Sequence, residues 1–157
     1  MARGARVRTN INVQLGRTYT LQKAIAGVNG ATEDALNQYI EILSIPPERT
    51  GEHYAGNTNR SSDPGEAPAP QTQGGLRQTA TRTPAEVTGS TVSARVGSPK
   101  EYAAALELGT DNIEPRPALG RLRTEAPRRE RLVRVFQIVA ARVGNTIPGA
   151  GGRGRSR

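Results

Sequence analysis

LQKAIAGVNGATEDALNQYIEIL, residues 21–43, decides the fold class. Leu21, Ile25, Val28, Thr32, Leu36, Tyr39, Ile40 and Leu43 recur at three- and four-residue steps, which lays one apolar stripe along a helix from about Thr18 to Ser44. Gly27 and Gly30 each cost roughly 1 kcal/mol in a helix interior. A bend or break is therefore expected there, with Thr32-Glu-Asp as a fresh start, and Ile45-Pro46-Pro47 ends the helix. Upstream the period is different. Val7, Thr9, Ile11 and Val13 alternate with Arg8, Asn10 and Asn12, a strand signal within the basic arm of residues 1–17.

Downstream, residues 46–75 carry no periodic hydrophobicity and are rich in Pro, Gly, Ser, Asn and Thr. So long a stretch exceeds an ordinary connection, and it reads either as disordered or as an extended arm ordered by a partner. Within it Arg60-Ser-Ser-Asp-Pro-Gly-Glu-Ala-Pro-Ala-Pro70 combines tight turns with extended backbone, and Gln71-Thr-Gln-Gly-Gly75 releases the chain into Leu76. Leu76 to Thr83 is then expected as a strand with Leu76, Gln78 and Ala80 on one face. Pro84 and Ala85-Glu86 interrupt it, and Gly89 marks the return. Val92, Ala94 and Val96 alternate with Ser93 and Arg95 in the clearest strand, and Gly97-Ser98-Pro99 ends the hairpin.

Residues 100–108 suit a short helix or a third strand, with the Ala-rich composition favouring helix. The apolar run Tyr102-Ala-Ala-Ala-Leu-Glu-Leu-Gly-Thr110 stops at Gly109, and Pro115-Arg-Pro117 makes a rigid corner. Each proline fixes its own φ, and Pro117 biases Arg116 away from the helical region. Beyond it Leu119 and Leu122 begin a helix, with Pro127 at its re-entry point. Leu132, Val135, Phe136, Val139 and Val143 form a second stripe, while Arg128, Arg129, Arg131, Arg134 and Arg142 fall largely elsewhere on the wheel. The Gly/Arg tail at 144–157 cannot bury enough surface to offset its ordering entropy. The whole reads as one α+β domain over 18–143. A long N-terminal helix and a C-terminal helix pack on a small antiparallel sheet, with the extended arm 46–75 and disordered basic termini.

Composition excludes several kinds of chemistry. Apolar residues are 34% of the 157, with one Phe, one Met and no Trp, so the core is small and built from Leu, Ile, Val and Ala. With 18 Gly and 11 Pro, much of the backbone is loop or arm, which suggests a subunit that completes its burial against neighbours. Without Cys there are no disulfides or thiolate metal sites. His53 is the single His, it lies in a polar Gly-rich stretch, and no Gly-x-Ser-x-Gly elbow is present to make a hydrolase triad with it. Gly74-Gly75 is not followed by Lys, as a Walker loop requires. Glu101, Glu107, Asp111 and Glu114 show no sign of the burial or mutual proximity that a catalytic carboxylate pair needs. No catalytic residue, metal ligand or cofactor is expected. No run of 18 apolar residues exists to span a membrane, and the basic start lacks the apolar segment of a signal peptide.

The net charge of +8 is segregated. Residues 1–20 carry four Arg and no acid, residues 21–114 carry seven basic and twelve acidic groups, and residues 115–157 carry eleven Arg against Glu125 and Glu130. Arg128, Arg129, Arg131, Arg134, Arg153, Arg155 and Arg157 are thus candidates to meet either DNA phosphates or acidic neighbouring subunits. The four Tyr and one Phe are not interleaved with them, which argues against a platform for stacking single-stranded bases. A basic protein that binds nucleic acid without reading sequence is the alternative to an assembly role.

The order of segments carries more than composition does. A helix is followed by Pro46-Pro-x-x-Thr50-Gly51, Ser61-Ser-Asp-Pro-Gly-Glu-Ala-Pro-Ala69, Thr72-x-Gly-Gly-Leu-Arg77 and a strand hairpin. Tyr102-Ala-Ala-x-Leu-Glu-x-Gly-Thr110 and Arg116-Pro-Ala-Leu119 come next. Over roughly residues 18–142 this order resembles the neck or tail-completion family of long-tailed bacteriophages, the small virion proteins that join head to tail. The resemblance implies an α+β subunit of a connector ring, with a hexamer expected, assembled in the host cytoplasm. It implies as partners a head-closure protein, a tail terminator or tail tube protein, and the genomic double-stranded DNA in the lumen, with no membrane. Its assembly residues would be Pro64, Gly65, Glu66, Pro68, Gly75, Leu76, Arg77, Tyr102, Glu107, Gly109, Thr110, Arg116 and Pro117. Of these, Glu107, Gly109 and Thr110 would shape the turn before the last helix, and Arg116-Pro117 would fix that helix's approach. Ala118 stands where the family usually has a bulkier aromatic, and Asp63 where it usually has Ala.

Overall fold

The alternating stretch Thr91–Gly97 forms the centre of a four-stranded antiparallel sheet. In the structure, a computed structural model that describes residues 8–14, 19–44, 47–53, 60–70 and 75–143, this strand is β4. One edge of β4 pairs with β1 (Arg8–Gln14), from Arg8 opposite Gly97 to Gln14 opposite Thr91. The other edge is shared by two short strands, β2 (Thr81–Arg82) beside Gly97 and β3 (Glu86–Thr88) beside Thr91. Thr9, Val92, Ala94 and Val96 are buried while Arg8, Asn10, Asn12 and Arg95 are exposed, so one face of the sheet is packed and the other solvated. The strand signal near the N-terminus therefore belongs to the sheet, and the fold takes in residues 8–14. The basic arm at 1–6 and the tail at 144–157, with Arg153, Arg155 and Arg157, lie outside the described residues.

The strand expected over Leu76–Thr83 is a correction. Leu76–Thr79 is one helical turn, α2, and only Thr81–Arg82 pairs as a strand. Thr79 explains the difference, because its backbone N–H and its Oγ1 both reach back to the Gly75 carbonyl, at 3.3 and 3.1 Å. Pro84 then interrupts the ladder, having no N–H to offer it. Beside it Thr83 takes both bonds from Arg95, its N–H donating to the Arg95 carbonyl at 2.9 Å and its Oγ1 accepting the Arg95 N–H at 3.1 Å. The hairpin proper is β3–β4, turning at Gly89 and Ser90.

Helix α1 (Leu21–Ile42) is unbroken, contrary to the expected bend. Gly27 and Gly30 are where α5 (Ala126–Arg142) comes close. A Cβ on Gly27 would stand 2.5 Å from Phe136 Cε2, and one on Gly30 2.7 Å from Val139 Cγ2. Thr32 starts no new helix, because its Oγ1 donates to the Val28 carbonyl one turn earlier, at 2.6 Å. The first half of α1 packs Ala24, Val28 and Ala31 with Val92, Ala94, Phe136 and Ala140, and the Tyr19 ring meets Phe136 edge-on at 5.0 Å.

The second half of α1 buries Ala35, Tyr39, Ile42 and Leu43 with Ala67, Leu76, Val96 and Ala103. To the same cluster Leu119 and Leu122 come from α4 (Leu119–Thr124), and Ala103 belongs to α3 (Tyr102–Leu108), so residues 102–108 are helix and not strand. Within the described parts of the arm, 47–53 and 60–70, Ala67 and Arg49 are buried against the chain's own domain. Pro127 occupies the first turn of α5, where its missing N–H costs nothing.

Candidate functional site

Arg49 organises the arm. Its Nη2 donates to the Ile42 and Pro68 carbonyls at 3.0 and 2.6 Å, its Nη1 to Ser44 and Pro47 at 3.0 and 3.1 Å, and its Nε to Ala67 and Pro68. One planar fork thus satisfies orphan carbonyls at the end of α1 and pins the far side of the arm to them. Burial lowers the Arg49 pKa, with the Glu66 carboxylate opposing the shift and Arg121 adding to it.

Glu66 ties the arm's turn together. Its carboxylate accepts the N–H groups of Asp63 and Thr50 at 2.9 and 3.0 Å and the Thr50 hydroxyl at 2.7 Å. These bonds favour the charged form, so they hold the carboxyl below the usual carboxylate range. The Asp63 amide contributes most, followed by the Thr50 hydroxyl and the Thr50 amide. Pro64 and Gly65 form the exposed tip of this turn, and Pro68 is buried beneath it.

The second segment closes on the first. The Gly65 N–H donates to the Pro115 carbonyl at 2.9 Å, Arg116 Nε to the Ser62 carbonyl at 3.0 Å, and Arg121 Nη2 to the Gly65 carbonyl at 3.1 Å. Arg116 is also fixed from behind, its N–H donating to the Leu106 carbonyl at 2.6 Å. Glu107 caps α4, its carboxylate accepting the N–H groups of Ala118 at 2.9 Å, Leu119 at 3.1 Å and also Gly120. Gly109 sits at φ 77, and a Cβ there would stand 2.9 Å from the Ile113 carbonyl oxygen, so only glycine suits the position. Thr110 and Ile113 then exchange backbone bonds around the tight turn Asp111-Asn112.

The chain therefore brings most of the sequence-selected residues into one corner. Pro68, Leu76, Arg77 and Tyr102 share a small, shallow, mainly apolar cleft with Leu43 and Leu106. Gly75 is buried at the start of α2, Pro117 is half-buried beside α4, and Thr110 is exposed. Beneath the corner the Tyr39 phenol is held protonated far above its ordinary range, first by burial, then by the Glu107 carboxylate and Tyr102. Sequence reasoning missed Arg49, Ser62 and Arg121. Arg49 and Ser62 bond through main-chain carbonyls, which no residue type marks, and Arg121 reaches the Gly65 carbonyl in addition to its ion pair with Glu125 one turn on.

Part of the arginine face of the last helix is engaged within the chain. Arg131 puts Nη2 2.7 Å from Asp34 Oδ1, and Asp34 in turn accepts from the buried Gln38. Arg128 lies 2.7 Å from Glu125 and 3.8 Å from Glu41. These two arginines are paired with the domain's own acids, Arg131 while remaining exposed, and Arg129 and Arg134 are exposed as well. Among the described residues, no three His, Cys, Asp or Glu converge to hold a metal ion, and no helix is long and apolar enough to cross a membrane. No family model, curated protein or solved structure matches the chain.

Proposed function

We propose that the chain is a structural virion protein, a neck or tail-completion subunit of a long-tailed bacteriophage. It forms a homo-oligomeric ring that joins the tail to the DNA-filled head and lets the genome pass. The observation that carries this reading is the bonding of Arg116 and Pro115 to Ser62 and Gly65. The two segments in which the resemblance to that family is sharpest are far apart in sequence, yet they lock together as one corner. Most of the polar groups in the corner are spent on backbone amides and carbonyls, which sets a shape and leaves little for chemistry. Glu107 in particular is committed to three amides of the chain.

The partners of such a ring are a head-closure protein on one side, a tail terminator or tail tube protein on the other, and double-stranded DNA in the lumen. The alternative, a free basic nucleic-acid-binding protein, is weakened by the engagement of Arg128 and Arg131 with Glu125, Glu41 and Asp34. The decisive experiment deletes the gene from the phage that encodes it. Full heads beside unattached tails are expected, and normal virions would refute the reading. A steep salt dependence of DNA binding by the purified chain would favour the alternative.

A further inference from the structure

Two arginines on the solvated face of the sheet flank a small cleft. Arg8 stands opposite Gly97 of β4, Thr81 stands opposite the same glycine from β2, and Asn10 stands opposite Arg95. Side chains that face one another across a ladder project from the same side of the sheet. Arg8, Asn10, Thr81 and Arg95 therefore share one face, and all four are exposed. Gly97 adds no side chain between Arg8 and Thr81. The cleft opens at this point, with Arg8, Arg95, Thr81 and Ser98 among its walls.

These two cations are not spent on acids. Among the described residues Arg8 and Arg95 enter no ion pair, whereas Arg82, whose register turns it to the packed face, is paired with Glu33 at 2.5 Å. Arg8 and Arg95 are diagonal neighbours on adjacent strands, a spacing of roughly 7–8 Å in an antiparallel sheet, so they repel each other until an anion lies between them. Glu86, opposite Ser93, is the one acid that the described strands place on this face. Residues 1–7, which lead into β1, add Arg3 and Arg6 and no acid.

Residue type decides what this face meets. A stable contact of one protein with another is centred on buried aromatic or aliphatic anchors. On this face the strands place Arg, Asn, Gln, Thr, Ser, Glu and Gly, with no apolar side chain. Arg, Asn, Ser and Thr are among the donors that hold the phosphates of a DNA backbone. Resting on the ring reading above, we infer that the solvated face of the sheet meets the passing double-stranded DNA, and that the cleft between Arg8 and Arg95 takes a phosphodiester of its backbone. The contact reads no sequence. It is also light, since two arginines per subunit hold a duplex far less firmly than about 6–10 phosphate contacts do.

Fluorescence anisotropy of a short labelled duplex, titrated with the full-length chain across a salt series, tests this. R8Q/R95Q is expected to bind more weakly on two unrelated sequences alike. It should also flatten the slope of log K against log salt by about 1–2, at roughly 0.9 per phosphate contact. R129Q/R134Q removes the same charge from α5 and is expected to keep the slope. The inference is overturned if the wild type does not bind duplex DNA at low salt or if R8Q/R95Q keeps the wild-type slope. It is overturned as well if R129Q/R134Q flattens the slope equally, because net charge and not the cleft would then be at work. A third result against it is polyglutamate binding the wild type as tightly as the duplex and losing that affinity in R8Q/R95Q, since the cleft would then take the acidic surface of a neighbouring protein. Circular dichroism and thermal melting establish that each variant is folded. The ring reading fails separately: normal virions from the deleted phage refute it whatever the cleft binds, and an unchanged slope in R8Q/R95Q leaves the deletion phenotype untouched.

Discussion

Oε2 of Glu107 accepts the Leu119 N–H at 3.1 Å, so the last turn of α3 closes the first turn of α4. Helix α4 is six residues long and has Ala118 at its N-cap position, which offers no side-chain acceptor. A helix that short does not persist on its own. Glu107→Ala is therefore expected to cost about 1–3 kcal/mol, the range for losing a cap and leaving amides unpaired. Glu107→Gln keeps an acceptor oxygen and should cost less. Urea midpoints of the two variants check this order, and an Ala variant as stable as the wild type would refute the capping role.

Arg49→Lys retains the charge and loses the fork. A lysine ammonium presents three donors from one point, whereas Arg49 reaches carbonyls at Ile42, Ser44, Pro47, Ala67 and Pro68. The expected loss is about 2–4 kcal/mol, from buried carbonyls left without donors. Limited proteolysis should show new cuts between residues 47 and 70. If the arm stays protected in the Lys variant, Arg49 is not what holds it.

The Glu66 turn predicts an acid-sensitive component of stability. Hydrogen bonds from Asp63 and Thr50 depress the folded-state pKa below the unfolded value, so the folded chain binds fewer protons in that range. The contribution is fully present above the unfolded carboxylate pKa and is lost as pH falls through the lower, folded one. Stability measured from pH 7 down to the acid range should fall less steeply in Glu66→Gln than in the wild type. Parallel curves for the two proteins would count against the turn as a source of pH dependence.

The elements with a local period were legible in the sequence. The stripe of α1, the alternation of β4 and the Pro127 restart each depend on neighbours within a turn or two. What escaped depends on distant groups. The arginines of α5 lie largely on the solvent face that the helical wheel predicts, but the pairing of Arg131 with Asp34, 97 residues earlier, has no local signal. Arg49 fell on an unspecified position of the Pro-Pro-x-x-Thr-Gly segment because its acceptors are main-chain carbonyls, identical for every residue type. Of the corner, the residues Glu107, Gly109 and Arg116 were legible. The partners of Arg116 and Pro115 were not, since Ser62 and Gly65 lie about fifty residues away in a stretch without periodicity.

Gly27 separates the local reading from the tertiary one most sharply. Helix propensity alone predicts that Gly27→Ala stabilises α1 by roughly 1 kcal/mol. A Cβ at that position would meet Phe136 Cε2 at 2.5 Å and Cδ2 at 2.6 Å, closer than side chains pack. Phe136 is buried and its ring is held edge-on by Tyr19, so relief requires moving the ring or the whole of α5. Overpacking of this kind costs about 1–3 kcal/mol, which outweighs the propensity gain. The variant is therefore expected to melt below the wild type, while Gly27→Ala combined with Phe136→Leu should recover part of the loss. A single Gly27→Ala variant that melts above the wild type would mean that α1 and α5 are free to move apart, and that the glycine is not there for close packing.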